Sequence, residues 1–239
     1  AYATYVGQEI GQFYGWVYEG IARTQTDLDN HATQQGANVG DCLYKDISGP
    51  EGTPDGVIDA YDQTVLGSGL PKVNFGLSTH MEYKGFDLNI STYGVLNYHV
   101  SDDIYNSLNS CYGYGNKEVG MLDANRWSED GSTYLSSVPR TYAANNATLA
   151  WNDLFSSRKI QNAAYWKIAN VELGYNFPDK WFGGYVSGVR LYVSAQNLYT
   201  FTGYHGYNVD YAGGTFTPGY NFCSFPSART FMAGLHFTF

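Results

Sequence analysis

Residues 73–83 (VNFGLSTHMEY) alternate between apolar and polar side chains along most of their length. A period of two residues is the pattern of a β-strand with one dry face and one wet face. Residues 86–97 repeat the alternation after Lys84 and Gly85, a pair that favours a tight turn. The two segments therefore predict an antiparallel hairpin.

Other segments show the same kind of pattern. In 164–177 the apolar phase shifts between Ile168 and Val171, which predicts a β-bulge near Ala169 and Asn170. The predicted strands, about six in total, lie near 11–20, 73–83, 86–97, 164–177, 188–201 and 229–239.

The connections between these strands alternate between short and long. Segments 21–72, 99–162 and 202–228 are long, polar and rich in Gly, Asn, Ser and Tyr. Such loops are rare in compact domains, but outer-membrane barrels have short periplasmic turns and long extracellular loops. About six strands cannot close a barrel, since the smallest has about eight. We therefore predict an all-β fold, the C-terminal strands of a large antiparallel transmembrane barrel.

Composition supports this interpretation. Of the 239 residues, 17% are aromatic, 15% are charged and 28 are glycine, which favours a β-rich protein over a helical bundle. The net charge of −9 leaves no basic stripe for phosphates, so nucleic acid is excluded as a partner. Cys42, Cys111 and Cys223 have no metal-binding spacing, so we predict mainly free thiols, with one disulfide as the alternative.

A series of motifs runs along the chain in a fixed order. They are GQEIGQFYGWVYEGI, YKDISG, PDGVIDAYDQTVLGSGLPKVNFGLS, EYKGFDLNI, NRWSED, VPRTY, YWKIANVELGYNFP, VRLYVSAQNLYTFTGYHGY and FPSARTFMAGLHFTF. Together they resemble the C-terminal part of the SusC/RagA family of TonB-dependent outer-membrane transporters. An ordered set is more specific than any single motif, and this set covers almost the whole chain.

The resemblance implies more than the strand pattern does. It implies a whole barrel of about 22 strands, a plug domain with a TonB box outside these residues, and a SusD-like surface lipoprotein that closes the extracellular mouth. The implied function is uptake of oligosaccharides or peptides across the bacterial outer membrane, in contact with lipid and lipopolysaccharide and driven by TonB through the plug. Two alternatives are a soluble β-sheet carbohydrate-binding module and a passive porin fragment.

The acidic segment 46–62 resembles a calcium loop. Family sequences usually read Asp-x-Asn-Gly-Asp-Gly-x-Ile-Asp without a break, whereas PEGT and a second proline intervene here. Two interpretations stay open: a structural Ca²⁺ that staples an extracellular loop, and a polar loop whose acids bind no ion. The candidate calcium ligands are Asp46, Ser48, Asp55, Val57 through its carbonyl, Asp59 and Asp62.

Aromatic side chains crowd the long loops. Their flat faces can stack on cargo, or they can pack the loops against each other and against the lipoprotein. The candidates for contact with cargo or with the lipoprotein are Tyr112, Tyr114, Trp127, Trp151, Tyr204, Tyr207 and Tyr220.

The polar phase of the strands carries several titratable residues. We interpret His80, Glu82 and His236, with Glu172 and Arg190, as lining of the barrel interior rather than as a cargo site. No GxSxG, HExxH, GxGxxG or Walker motif occurs. The chain is therefore predicted not to be an enzyme.

Overall fold

The computed structural model describes residues 2–110, 116–119, 126–128, 136–141, 151–181, 186–210 and 213–238. Within these ranges, no helix has the length and apolar character needed to cross a membrane. The chain divides into two compact units. The loop unit comprises Ala1–Leu70, His99–Gln161 and Tyr211–Cys223, and the sheet unit comprises Pro71–Tyr98, Asn162–Asp210 and Ser224–Phe239.

Strands make up most of the regular structure. In chain order they are β1 (Tyr2–Ala3), β2 (Gln12–Trp16), β3 (Tyr18–Ile21), β4 (Cys42–Tyr44), β5 (Gln63–Ser68), β6 (Val73–Tyr83), β7 (Phe86–Leu96), β8 (His99–Asp102), β9 (Gln161–Asn162), β10 (Tyr165–Phe177), β11 (Gly188–Thr202), β12 (Gly213–Gly214), β13 (Thr217–Pro218), β14 (Tyr220–Asn221) and β15 (Thr230–Thr238). The described helices are α1 (Gln25–Asp29), α2 (Asp103–Leu108) and single 3-10 turns at Ala60–Asp62, Trp151–Asp153, Ser157–Lys159 and Asp179–Trp181.

The sheet unit is built on one five-stranded antiparallel sheet in the order β15-β11-β10-β7-β6. Each long strand pairs with the next long strand of the sequence, so the sheet is an up-and-down meander. The connections β6 to β7 and β10 to β11 lie at the same end, because Phe86 pairs with both Tyr83 and Tyr175. We call this the short-turn end. The two long connections leave from the opposite end.

Local sequence explains the turn and the irregularities of this sheet. Lys84 and Gly85 both have positive φ, 48° and 87°, which is the geometry of a two-residue hairpin turn. The predicted bulge is confirmed, because the pairing register of β10 shifts between Ile168 and Asn170 with both neighbouring strands. Asn97, with φ of 52°, ends β7 one residue before the predicted boundary.

The predicted strand at 11–20 differs from the structure and does not join the five-stranded sheet. It is divided into β2, which pairs with β5, and β3, which pairs with β4. The backbone changes partner at Val17, where the carbonyl accepts a hydrogen bond from Lys45 N. Gly15 explains part of this local packing, since a Cβ there would lie 2.2 Å from the Phe155 carbonyl oxygen.

The loop unit contains more regular structure than the predicted loops 21–72, 99–162 and 202–228 imply. Small sheets join β1-β2-β5, β3-β4, β12-β13 and β14-β8-β9. Its core centres on Tyr44, which is 1% exposed and whose hydroxyl donates to the Trp151 carbonyl. Burial raises the pKa of the Tyr44 phenol. These loops fold because they bury aromatic side chains of their own.

Candidate functional site: a sheet with a lipid-type face and a polar face

One face of the five-stranded sheet is apolar and exposed. Leu77 is 65% exposed, Phe231 68% and Leu235 58%. An exposed Leu or Phe side chain forgoes about 1.5 to 3 kcal/mol relative to burial, and soluble monomers rarely expose a continuous apolar patch this way. The face is therefore suited to hydrocarbon rather than to water. One cross-strand row of this face consists of Met81, Leu88, Leu173, Val193 and Ala233.

Aromatic rings border this apolar face at both ends. The rings of Phe86 and Tyr175 lie 4.6 Å apart, and those of Trp166 and Phe201 stack at 5.4 Å. Phe75 and Tyr83 are eight positions apart along β6, which is about 26 Å of strand before tilt. Two aromatic rows with this spacing match the interfacial girdles of a membrane barrel. The row at the short-turn end includes Tyr83, Phe86, Tyr175, Phe177 and Trp181, and the opposite row includes Phe75, Trp166, Tyr199 and Phe201.

The opposite face carries an ion-pair network near the short-turn end. Arg190 Nε donates to Asp87 Oδ1 at 3.0 Å, Arg190 Nη2 contacts Asp87 Oδ2, and Nη2 also donates to Glu172 Oε1 at 2.7 Å. Asn176 Nδ2 donates to Asp87 Oδ1 at 3.0 Å. The Asp87 side chain is only 5% exposed, so its pairing with the guanidinium offsets the cost of burying the carboxylate.

Gly174 makes room for this network. A Cβ at Gly174 would lie 2.5 Å from Asp87 Oδ1 and 2.6 Å from Arg190 Nη2. Sequence reasoning placed Arg190 and Glu172 on the polar phase but missed Asp87 as a second partner of Arg190. The missing information was the register, which sets Asp87, Gly174 and Tyr192 opposite one another.

His80 lies on the same polar face and is exposed. One ring nitrogen lies 2.6 Å from Asn89 Oδ1 and the other 3.0 Å from Glu82 Oε1. His236 pairs across the strands with Arg190. The polar phase predicted for His80, Glu82 and His236 thus coincides with the polar face of the sheet, where His80 and Glu82 are hydrogen-bonded to each other.

The structure separates the candidate aromatic residues by exposure. Trp127, Trp151 and Tyr204 are 8%, 6% and 6% exposed, a placement that favours loop packing over direct contact with cargo. Tyr207 is 66% exposed and its ring is available to a ligand. Tyr220 donates its hydroxyl hydrogen to Asp103 Oδ1 at 3.0 Å. Two further candidates, Tyr112 and Tyr114, lie outside the described residues.

The acidic loop is held together by carboxylate-to-amide hydrogen bonds. Asp62 Oδ1 accepts from the amides of Ile47 and Ser48 at 2.8 and 3.1 Å, and Asp62 Oδ2 accepts from Asp59 N at 2.8 Å. Asp55 Oδ1 accepts from Val57 N at 3.0 Å. Several carboxylate oxygens that the prediction assigned to calcium therefore accept hydrogen bonds from backbone amides instead.

Asp46 is the exception in that loop. Its Oδ2 accepts from Gly56 N at 2.7 Å, whereas its Oδ1 is buried with no hydrogen-bond partner. A buried carboxylate oxygen without a partner is a group that a cation can satisfy. Among the described residues, however, no three His, Cys, Asp or Glu side chains are grouped as a metal site requires. The calcium site stays a prediction.

A second network, which sequence reasoning missed, joins distant parts of the loop unit. Arg140 pairs with Asp41, and the hydrogen bond from the Arg140 side chain to Asp41 raises the pKa of the guanidinium. Asn152 donates to Asp41 Oδ1 at 2.8 Å and accepts from Cys42 N at 2.7 Å. Cys42 is buried and Cys223 is exposed, and Cys111 lies outside the described residues.

An antiparallel sheet with one exposed apolar face, two aromatic borders and one hydrogen-bonded polar face defines a segment of a transmembrane β-barrel wall.

No family model matches the sequence. Relatives do match. The chain is 30% identical, over 98% of its length, to "TonB-dependent receptor P3" of Formosa agariphila. It is 27% identical, over 77% of its length, to "TonB-dependent receptor SusC" of Bacteroides thetaiotaomicron.

Solved structures agree with these sequence relatives. The structure described as the RagAB peptide transporter superposes with a TM-score of 0.71 at 21% identity, covering 95% of this chain and 22% of that one. At this identity the likeness shows the fold. The resemblance to SusC/RagA-type TonB-dependent receptors is thereby confirmed, and so is the all-β fold of a barrel segment. The chain spans about a fifth of the length of the relatives it matches, 22% of P3 and 17% of SusC. These relatives are named as receptors and transporters, not as enzymes.

Proposed function

We propose that this chain forms part of the barrel wall of a TonB-dependent importer in the bacterial outer membrane. The observation that carries the proposal is the exposed apolar face of the sheet, backed by a polar face with the Arg190, Asp87 and Glu172 network. In this assignment the apolar face meets lipid and lipopolysaccharide. The polar face meets the barrel interior and the plug domain of the same transporter.

The orientation follows from the lengths of the connections. The short-turn end lies in the periplasm, and the long connections lie outside the cell, as in other outer-membrane barrels. The long connections then face the medium, where a SusD-like lipoprotein meets them. Cargo is an oligosaccharide or a peptide, captured between loops and lipoprotein and released inward when TonB pulls on the plug. A calcium ion at Asp46 would stabilise the loop unit without taking part in transport.

A soluble carbohydrate-binding module is the competing function. Such a module would pack the apolar faces of its strands on each other in a closed core. Here Leu77, Leu235 and Phe231 are more than half exposed. This difference favours the membrane wall.

The test uses the intact transporter extracted from outer membranes in mild detergent, with every co-purifying polypeptide identified by mass spectrometry. We expect a plug-bearing receptor together with a SusD-like lipoprotein. Recovery of this sequence alone in the soluble fraction would overturn the proposal and support the binding module.

Orientation is tested separately by labelling whole cells with a membrane-impermeant maleimide. In a background in which Cys42, Cys111 and Cys223 are replaced by serine, Lys84→Cys should stay unlabelled until the cells are opened. Tyr207→Cys in the same background should be labelled in intact cells. The reverse pattern would show that the loops face the periplasm.

A further inference from the structure

A polar pocket with a volume of about 320 Å³ lies within the sheet unit, where β15 stops pairing with β11. The β11–β15 pairing ends at Gln196 and Thr230, whereas β11 continues to pair with β10 as far as Thr202. The chain before β15 diverges at this point and is held by Asn197 Nδ2, which donates to the Ala228 carbonyl at 2.9 Å. The pocket thus results from the strand topology.

The charges of this pocket do not balance. Lys167 Nζ pairs with Asp210 Oδ2 at 2.6 Å, and the Lys167 side chain is only 4% exposed. The Tyr93 hydroxyl also donates to Asp210, at 3.3 Å. Arg229 is exposed on the pocket wall and forms no ion pair with any residue in the described part of the chain. The lining therefore carries one uncompensated positive charge.

The rest of the lining suits a ring with several hydroxyl groups. Amide and hydroxyl side chains supply donors and acceptors, and the ring of Tyr207 is 66% exposed. Tyrosine rings offer flat faces for a sugar and keep a polar tip for hydrogen bonds. The volume is near the lower end of the range for small-molecule sites, about 300 to 1,000 Å³, which fits one or two sugar rings. The amide and hydroxyl residues of the lining are Asn197, Thr200, Thr202, Asn208 and Ser227.

We propose that this pocket binds an acidic sugar unit of the cargo, with Arg229 holding its carboxylate or sulfate group. A guanidinium is suited to this task because its planar donors match both anions in a two-point contact. Lys167 does not bind the ligand directly, because its ammonium group already forms an ion pair with Asp210. Tyr207 supplies the stacking face. This inference rests on the proposed importer function and narrows its cargo to acidic saccharides.

The experiment measures binding to the intact transporter complex by isothermal titration calorimetry. The probes are a hexamer of galacturonic acid, a sulfated galacto-oligosaccharide of similar length, neutral galactohexaose and an acidic hexapeptide. We expect an acidic saccharide to bind at least about tenfold more tightly than the neutral one. The first two probes distinguish a carboxylate ligand from a sulfate ligand.

Variants test the residues. Arg229→Gln should remove most of the preference for the acidic saccharide, Arg229→Lys should keep part of it, and Tyr207→Ala should weaken binding of every saccharide. Lys45→Gln removes an exposed positive charge in the loop unit and is the matched control, which should bind as the unchanged protein does. Each variant is first checked for folding by its mobility on an unheated gel. If Arg229→Gln does not fold, Arg229→Lys tests the same position, and an unchanged preference in Arg229→Lys would overturn the role of Arg229.

Three results would overturn the pocket assignment. They are equal or tighter binding of the neutral hexamer or the peptide, no binding of either acidic saccharide, and an unchanged preference in Arg229→Gln. Each leaves the importer proposal standing as long as the complex still contains a plug-bearing receptor and a SusD-like lipoprotein. Failure to recover that complex would count against the importer itself.

Discussion

Arg140 and Asp41 are 99 residues apart in the sequence and form a two-point ion pair, with Nε 2.6 Å from Oδ1 and Nη2 2.8 Å from Oδ2. The Asp41 side chain is 6% exposed and the Arg140 side chain 37% exposed. The pair joins two segments of the loop unit, so the loops reinforce each other rather than folding independently.

Arg140→Gln should destabilise the loop unit by about 1 to 3 kcal/mol, less than a fully buried pair would lose, because solvent screens the guanidinium. Hydrogen exchange at Ala22 and Gly40, whose amides donate to Asp41 O and Ala22 O, measures the change. Lys45→Gln is the control for loss of one positive charge. Unchanged protection at both amides in Arg140→Gln would show that the ion pair does not stabilise the two segments it joins.

Gly174→Ala should destabilise the barrel wall, because the added Cβ would lie within 2.6 Å of both the Asp87 carboxylate and the Arg190 guanidinium. We expect a loss of about 1 to 3 kcal/mol from overpacking. Gly76→Ala is a matched control in the same sheet, since its nearest neighbour outside the adjoining residues is Thr92 O at 3.7 Å. Urea unfolding in lipid vesicles compares the two, and equal losses would contradict the explanation.

Leu77→Arg places a charge on the apolar face near the middle of β6. If that face meets hydrocarbon, the expected cost is about 2 to 4 kcal/mol in a bilayer. Ser78→Arg puts the same side chain on the polar face and should cost clearly less. The readout is the midpoint of urea unfolding in vesicles. A larger loss for Ser78→Arg would reverse the assignment of the two faces.

His99, at the start of β8 in the loop unit, gives a predicted pH dependence. Burial lowers the pKa of its imidazole below the ordinary value of 6.5. The unfolded chain therefore takes up the proton first. The stability contributed by neutral His99 is fully present above about pH 6.5 and decreases as the pH falls toward the lower folded-state pKa.

Urea unfolding at pH 7.5, 6.5 and 5.5 tests this dependence. His99→Gln should flatten the loss of stability between pH 6.5 and 5.5. His205→Gln, at an exposed histidine, is the matched control for the loss of one imidazole. An identical acid profile for the protein and its His99→Gln variant would show that another group titrates.

Calcium binding depends on Asp46 in our prediction, since its Oδ1 is the buried oxygen without a partner. Calcium should raise the thermal unfolding temperature of the intact receptor, and EGTA should reverse the increase. Asp46→Asn should abolish the shift, whereas Glu51→Gln, at an exposed acid of the same loop, should keep it. An unfolding temperature insensitive to calcium would favour the loop that binds no ion.

Most of the barrel wall could be predicted from alternation alone. Strands such as β6 carry one dry face and one wet face, and membrane surroundings preserve that contrast along the whole strand. The segment 11–20 could not be predicted in this way, because its pairing changes at Val17 and depends on β4 and β5, which lie far along the chain. Local propensity does not encode such partners.

The candidate site was less predictable than the wall. The phase of Arg190 indicated the polar face, but its pairing with Asp87 needed the register of three strands. Nothing in the sequence around Arg229 indicated a binding residue, because the pocket exists only where β15 diverges from β11. The sequence could suggest aromatic residues for contact with cargo, but only the structure shows that Tyr207 is exposed and Trp151 is buried.

The tight turn at Lys84 and Gly85 contrasts with the long segment between β7 and β10, although both join neighbouring strands of one sheet. Closing a flexible loop costs only about 0.6 kcal/mol more for each doubling of its length. Insertions between β7 and β10 are therefore thermodynamically cheap, while a change in the turn would shift the register of the hairpin. For the importer proposed above, an evolving lineage could thus exchange these loops for others that suit a new nutrient without redesigning the wall.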